Sequence, residues 1–495
     1  MNKTGLLLLT TGLFAVSCSM GNRYCYDAFP PYISNPGNGS EDVVAGDHFK
    51  PSREASFVSA SEVPVSSFSV DADGASYSYM RYCVNAGLAV PASSVRIEEY
   101  LNYFTFDYDE PTGQETLGIN AELGPCPWAP AHRLIRLGLK GKSMTPGEIP
   151  AANYILLVDV SGSMYGKDRI DLVKSGLCSM VDNMRPNDRI AIITYSGNVQ
   201  MLLESTLISE GKSAIKAAIR SLTASGATAG GEAMKMAYEE ASHHYAENGN
   251  NRIIMCTDGD FNVGVSSTQA LVAMIEKHRD KGIYLSIMGF GSGNYQDSRM
   301  ESISNKGNGT YNYIDSEEEM VKVFVNERSH FWAVANDTKC QVRFNPDYVD
   351  RYRLIGYDNR TMTSEQFEND ATDAGEIGAG QTVTALYEII LKDVDVPADS
   401  PAPAIASFEA RYKKAIKDKE SRSLTQDICW GSDGQPSENL YFAAGVTAYG
   451  MVLKQSKFKG EASLSMAREL VNGARTFDPD GFRSRFLELI DKQIK

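Results

Sequence analysis

Tyr154-Ile155-Leu156-Leu157-Val158-Asp159-Val160-Ser161-Gly162-Ser163 joins an apolar run to a cluster of oxygen-bearing side chains. The continuous apolar run Tyr154–Val158 is what a strand buried on both faces of a parallel sheet requires. It ends on a carboxylate. Two hydroxyls follow at alternate positions, with Gly162 between them to allow a tight backbone. In open parallel sheets, ligands bind outside the carboxyl ends of the strands, near the switch in strand order. The stretch therefore predicts a buried strand that delivers Asp159, Ser161 and Ser163 to one point on such an edge.

The pattern continues downstream. Ile170–Met184 carries apolar residues at 170, 173, 177, 181 and 184, a helical period. Arg189–Tyr195 and Val199–Leu203 read as strands, and Ala214–Leu222 and Gly231–Tyr245 as helices. Arg252–Cys256, Ile283–Phe290 and Thr310–Ile314 follow as strands, separated by the helices Gln269–Lys281 and Asp297–Asn305. Glu317–Trp332 reads as the last helix. Strands alternating with helices predict an α/β unit with a doubly wound, mainly parallel sheet over residues 150–335.

Two further loops reach the same edge. The Gly-rich run Ser225–Gly231 precedes a predicted helix and offers the Thr228 hydroxyl. Arg252–Cys256 runs into Thr257-Asp258-Gly259-Asp260, which places a second carboxylate, Asp258, beside the first. Asp260 is read as a loop carboxylate in solvent. Asp159, Ser161, Ser163, Thr228 and Asp258 are all hard oxygen donors, a set suited to Mg2+, with Mn2+ or Ca2+ as alternatives.

Asp-x-Ser-x-Ser, a later Thr and a later Asp resemble the metal-ion-dependent adhesion site of von Willebrand factor type A domains. All five family positions are filled in the expected order. The resemblance implies a cation with an open coordination position, which in the family is commonly completed by an Asp or Glu of a partner protein. It implies a binding module and no enzyme. The stretches Arg96–Phe104, Pro125-Cys126-Pro127-Trp128, Asn250-Asn251-Arg252, Asp258–Gly264 and Asp373–Gly378 are similar to a bacterial family of exported type A-domain proteins. Its members flank the domain with an N-terminal associated region, expected here over 56–140, and a C-terminal domain of unknown function. The latter is expected over 336–495, β-rich and then helical.

The first twenty residues suggest an address. Gly5–Val16 is too short to span a bilayer, which takes about 20 residues, and reads as the core of a signal peptide over 1–17. Ala15-Val16-Ser17-Cys18 resembles a bacterial lipobox, which implies acylation of Cys18. An ordinary secretory signal cut after Ser17 is the alternative. Residues 18–55 are rich in Gly, Pro, Asn and Ser and read as a flexible tether. The expected location is the cell envelope of a Gram-negative bacterium, membrane-anchored and facing the periplasm or the surface.

Composition narrows the partners. The 495 residues carry a formal charge of −15 and no basic run, which argues against nucleic-acid binding. With so acidic a chain, a carboxylate-bearing protein partner needs the local positive charge of a bound cation. Eight cysteines are too few for a disulfide-built fold. Cys178 and Cys256 are expected as buried thiols. Two competing functions keep the same residues: an envelope-assembly component whose metal only rigidifies loops, and a metal-dependent phosphohydrolase. The second lacks an Asp at 161, a G-x-x-x-x-G-K loop and a G-x-S-x-G elbow.

Overall fold

The Tyr154–Val158 run lies within the strand Ala152–Asp159, all of whose residues are buried. Tyr154, Leu156 and Val158 enter one hydrophobic core and Ile155 and Leu157 another, because successive strand residues point to opposite faces. This computed structural model describes residue 49 and residues 54–71, 73–226, 231–259, 268–292, 297–396, 401–432 and 434–494. The predicted leader, Cys18 and nearly all of the tether lie outside the described residues.

Ala152–Asp159 and its neighbour Asn250–Thr257 are the two central strands of a six-stranded sheet. Across the sheet the order is Tyr311–Ile314, Ile283–Phe290, Asn250–Thr257, Ala152–Asp159, Arg189–Tyr195 and Val199–Leu207. All neighbours are parallel except the last pair, an antiparallel hairpin. The chain works outward from Ala152–Asp159 in one direction, then returns to add Asn250–Thr257 on its other side. The strand order therefore reverses at Asp159. Helices Ile170–Asp182 and Ile208–Ser221 cover one face. Gly231–His243, Thr268–Arg279 and Asp297–Lys306 cover the other, joined there by Ala75–Ala86 from the N-terminal flank. The sheet is doubly wound, α/β and mainly parallel.

The last helix departs from expectation. Glu317–Val321 is α-helical, Lys322–Asn326 forms a π turn, and Arg328–Phe331 is a 3-10 turn. The Glu327 N–H donates to the Lys322 carbonyl at 2.8 Å, and the Lys322 ammonium meets the Glu327 carboxylate at 2.6 Å. Both contacts span five residues, a spacing that a continuous α-helix does not provide.

The flanks do not form two separate bodies. Val65–Ser69 from the N-terminal side pairs with Ala333–Phe344 from the C-terminal side, with Phe68 opposite Cys340. Arg133–Gly141 pairs with Thr382–Leu391, with Leu137 opposite Ala385. Two antiparallel sheets result, each drawing strands from both flanks, and they share one hydrophobic core. The segments 56–140 and 336–495, read apart in sequence, are thus interleaved. The strands Leu117–Pro125 and Arg422–Cys429, unrecognised in the sequence, pair at the ends of these sheets. Glu438–Leu453, Leu464–Asn472 and Phe482–Ile494 supply the expected helical end and pack with Ile97–Asn102 in a further core. Among the described residues no helix is long and apolar enough to cross a membrane.

The six described cysteines are free thiols. Cys256 is buried, and burial pushes its thiol up to about 12. Cys178 is only half-buried, because it follows Leu177 and so falls beside the apolar stripe of its helix.

Candidate metal site

The carboxyl edge at the strand reversal is assembled from the backbone upward. Val160 N–H donates to the Tyr195 carbonyl at 2.9 Å, which ties the first loop to the neighbouring strand. Ser225 N–H donates to the Val160 carbonyl at 2.6 Å, and Gly162 N–H to the Gly226 carbonyl at 3.0 Å. The Gly-rich loop is thereby held against the Asp159 loop. Gly226 has φ +90°, a left-handed conformation that favours glycine. Thr228 lies two residues beyond this contact, outside the described residues, as does Asp260.

Asp159 is the final residue of its strand and is fully buried. Its Oδ1 accepts the Ser161 N–H at 2.8 Å, and its Oδ2 accepts the Thr257 hydroxyl at 3.4 Å. Ser161 is buried, Ser163 is exposed, and their hydroxyl oxygens lie 2.9 Å apart. Asp258 directly follows the last residue of Asn250–Thr257 and is 4% exposed. Thr257 Oγ1 also accepts the Gly259 N–H at 3.2 Å, so one hydroxyl braces both the Asp159 carboxylate and the Asp258 turn. Burial raises the Asp159 carboxyl to about 6, and the Asp258 charge adds to the rise; hydrogen bonds from Ser161 and Tyr195 oppose it.

Four of the five expected positions are thus described, and all four belong to this edge. Thr257 and Tyr195 act from behind Asp159. Sequence reasoning passed over them because a Thr or Tyr ending an apolar strand carries no motif of its own. A mixed set of carboxylates and hydroxyls fits a hard cation that tolerates few carboxylates. Among the described residues no group of three or more His, Cys, Asp and Glu side chains is placed to hold a metal. Elsewhere, the Asp71 and Asp73 carboxylates are turned to Arg360, at 2.9 Å and 3.8 Å.

A doubly wound sheet whose order reverses at such an edge is the architecture of a von Willebrand factor type A domain, and the family of that description matches residues 153–327. Domains of this class generally mediate protein–protein interaction and generally bind a divalent metal at this edge. Residues 43–136 match a family described as von Willebrand factor, and residues 329–495 one described as the C-terminal part of the uncharacterized protein YfbK. The chain belongs to the YfbK family. It is 35% identical over 484 residues to the uncharacterized protein YfbK of Escherichia coli (strain K12), covering 93% of this chain and 82% of that one. An uncharacterized protein of Synechocystis is 27% identical over 194 residues, 39% of this chain and 45% of that protein. A solved von Willebrand factor type A structure from Catenulispora acidiphila is 14% identical, covers 75% of this chain and 89% of that chain, and superposes with a TM-score of 0.41.

Proposed function

We propose that the type A domain holds Mg2+ at the Asp159 edge and through it grips a protein partner by a carboxylate. Asp159, Ser161, Ser163, Thr228 and Asp258 would hold the cation, with Mn2+ or Ca2+ as substitutes. The observation that carries this reading is the charge balance at Asp159. Its carboxylate is buried with Asp258 nearby. Its hydrogen bonds come from an N–H and from hydroxyls. Among the described residues no lysine or arginine pairs with it. The nearby stretches outside the described residues, 227–230, 260–267 and 293–296, contain no Lys or Arg at all. A buried carboxylate charge calls for a compensating cation, and the two serine hydroxyls offer neutral oxygens beside it. When bound, the ion supplies a Lewis-acidic point for a third carboxylate, in a chain whose overall charge of −15 would otherwise repel an acidic partner.

On this reading the mature chain is a lipoprotein of a Gram-negative envelope. Acylated Cys18 holds it to the membrane through the tether 18–55, facing the periplasm or the surface. The support is the apolar run Gly5–Val16 and the small residues before Cys18. Affinity capture from envelope extract in Mg2+ tests both parts. A specific partner should elute with EDTA and be absent from Asp159→Ala, while Cys18→Ser should leave the membrane fraction and still capture the partner. Capture indifferent to EDTA and to Asp159→Ala overturns the metal-mediated contact. Cys18→Ser remaining in the membrane overturns the anchor.

A further inference from the structure

At the amino ends of the parallel strands, the end of the sheet away from Asp159, the domain and both flanks close around a cavity of about 40 Å³. Arg252, the third residue of Asn250–Thr257, lines it from the type A domain, as does Asn308, just before Tyr311–Ile314. Asp73 lines it from the N-terminal flank. Glu376, on the strand Gly375–Gly378, lines it from the C-terminal flank. Two stretches that relate this chain to the exported family, Asn250-Asn251-Arg252 and Asp373–Gly378, thus meet at one cavity.

These groups are held firmly and left unsatisfied. Arg252 and Asn308 are 3% exposed and Asp73 4%. The Arg252 guanidinium donates through Nη1 to the Ser286 hydroxyl at 2.7 Å and through Nη2 to the Phe331 carbonyl at 2.8 Å. It lies 5.3 Å and 5.2 Å from the ring centroids of Tyr284 and Phe331. Its Nε–H has no hydrogen-bond partner, and no described carboxylate forms an ion pair with it. Both side-chain amide atoms of Asn308 and Glu376 Oε1 are likewise buried without partners. Asp73 Oδ1 accepts the Tyr311 N–H at 2.9 Å, while Oδ2 accepts no hydrogen bond and stands 3.8 Å from Arg360. A Cβ on Gly375 or Gly378 would collide with the Val70 or His330 carbonyl, so the two glycines seat their strand close and fix Glu376 at the wall. Burial raises the Glu376 carboxyl well above its usual range; Asp337 and Asp373 add to the rise, and Arg252 and Arg279 oppose it. Burial also raises Asp73, with Asp71 adding to it, and lowers the Arg252 guanidinium, with Tyr154, Tyr284 and Glu376 opposing.

Both signs of charge are thus under-compensated around one cavity, and buried charges and buried polar atoms call for partners. A metal ion would serve the carboxylates and be repelled by the Arg252 and Arg360 guanidinium groups. A simple anion would do the reverse. One molecule that carries both charges serves every wall. The cavity has room for roughly three water-sized groups, enough for an ammonium and the two oxygens of a carboxylate. Asn305, Arg360, Gly375 and Glu376 also line an adjoining cleft of about 260 Å³, whose Asn359, Thr361 and Gln366 are exposed. We propose that this cavity binds the head of an α-amino acid. Its carboxylate accepts from Arg252 Nε and the Asn308 amide, its ammonium donates to Glu376 and Asp73, and its side chain, a polar one, extends into the cleft.

The test is a thermal-shift screen of the full chain against the common α-amino acids in L and D forms, followed by calorimetry on those that raise the melting temperature. Acetate and methylamine supply each charge alone. At least one amino acid with a polar side chain should bind saturably at one site. Its N-acetyl and carboxamide derivatives, which lack one charge each, should bind about thirtyfold more weakly or worse. Glu376→Gln keeps the shape of the wall and should weaken binding by a similar factor while still melting cooperatively. Arg252→Lys should do the same, and Glu376→Gln decides alone where that variant fails to fold. If no amino acid binds, water alone bridges these groups and the proposal is overturned. It is overturned equally if the N-acetyl and carboxamide derivatives, acetate or methylamine bind as tightly as the amino acid, or if Glu376→Gln binds it undiminished.

Discussion

Two strands of the same parallel sheet run out into carboxylates, and the protein treats them in opposite ways. Asp315 directly follows the outer strand Tyr311–Ile314. The Arg81 guanidinium meets it there, donating through Nε at 2.8 Å and through Nη2, and the same Nη2 donates to Glu319 at 2.8 Å. The Tyr103 hydroxyl completes the group with a bond to Glu319 at 2.9 Å, and the Lys322 ammonium lies 4.4 Å from the Tyr103 ring centroid. Arg81 and Tyr103 both come from the N-terminal flank. At Asp159, at the strand reversal, no described Lys or Arg plays that part. The first carboxylate is closed by a cation built into the chain, which locks the flank to the last helical turns. The second is left with donors that orient it without neutralising it. The difference separates a structural junction from an edge suited to an exogenous cation.

The junction should be the costlier of the two to break. Arg81→Met removes the internal cation while leaving Asp315 and Glu319 buried. Removing one partner of a buried ion pair typically costs about 3–5 kcal/mol, and urea denaturation at pH 7 should show a loss of that order. A loss within about 0.5 kcal/mol would mean that the two sites do not differ in the way described.

At the edge the sign reverses. The Asp159 carboxyl is raised from 3.8 to about 6 in the folded chain, so its contribution is fully present below pH 3.8 and is lost as pH rises through 6. Ionised Asp159 therefore destabilises the metal-free chain at pH 7. That rise corresponds to at most about 3 kcal/mol. In EDTA, Asp159→Asn should be more stable than the unaltered chain at pH 7, by up to that amount, and the gain should vanish near pH 4. Asp73, Glu376 and Glu327 are also raised by burial, so the difference between the two chains, and not either curve alone, reports on Asp159. A variant less stable at pH 7 would place the carboxylate among structural groups like Asp315.

The central sheet was largely legible in the sequence because its signals are local. Tyr154–Val158 is a bare apolar run, and the strand Ile283–Phe290 is found with the bounds read from its residues. Asp159, Ser161, Ser163 and Asp258 were legible for a related reason: each lies at or just after the end of such a run. The interleaved flanks were not. The pairings of Phe68 with Cys340 and of Leu137 with Ala385 join residues about 250 positions or more apart, and periodicity names a strand without naming its partner. Leu117–Pro125 escaped because its middle is only partly buried and shows no alternation. The break in the last helix escaped because Met320, Val323 and Phe324 sustain a helical apolar pattern, while its cause is the five-residue contact between Lys322 and Glu327.

On the proposed reading, the Asp159 edge takes up a divalent cation from the medium. Calorimetric titration of Mg2+ into the full chain, freed of divalent ions beforehand, tests it most directly. Binding should be saturable at one site, abolished in Asp159→Asn, weakened in Ser163→Ala, Thr228→Ala and Asp258→Asn, and unchanged in Asp73→Asn. Absence of saturable binding of Mg2+, Mn2+ or Ca2+, or binding undiminished in Asp159→Asn, would contradict it.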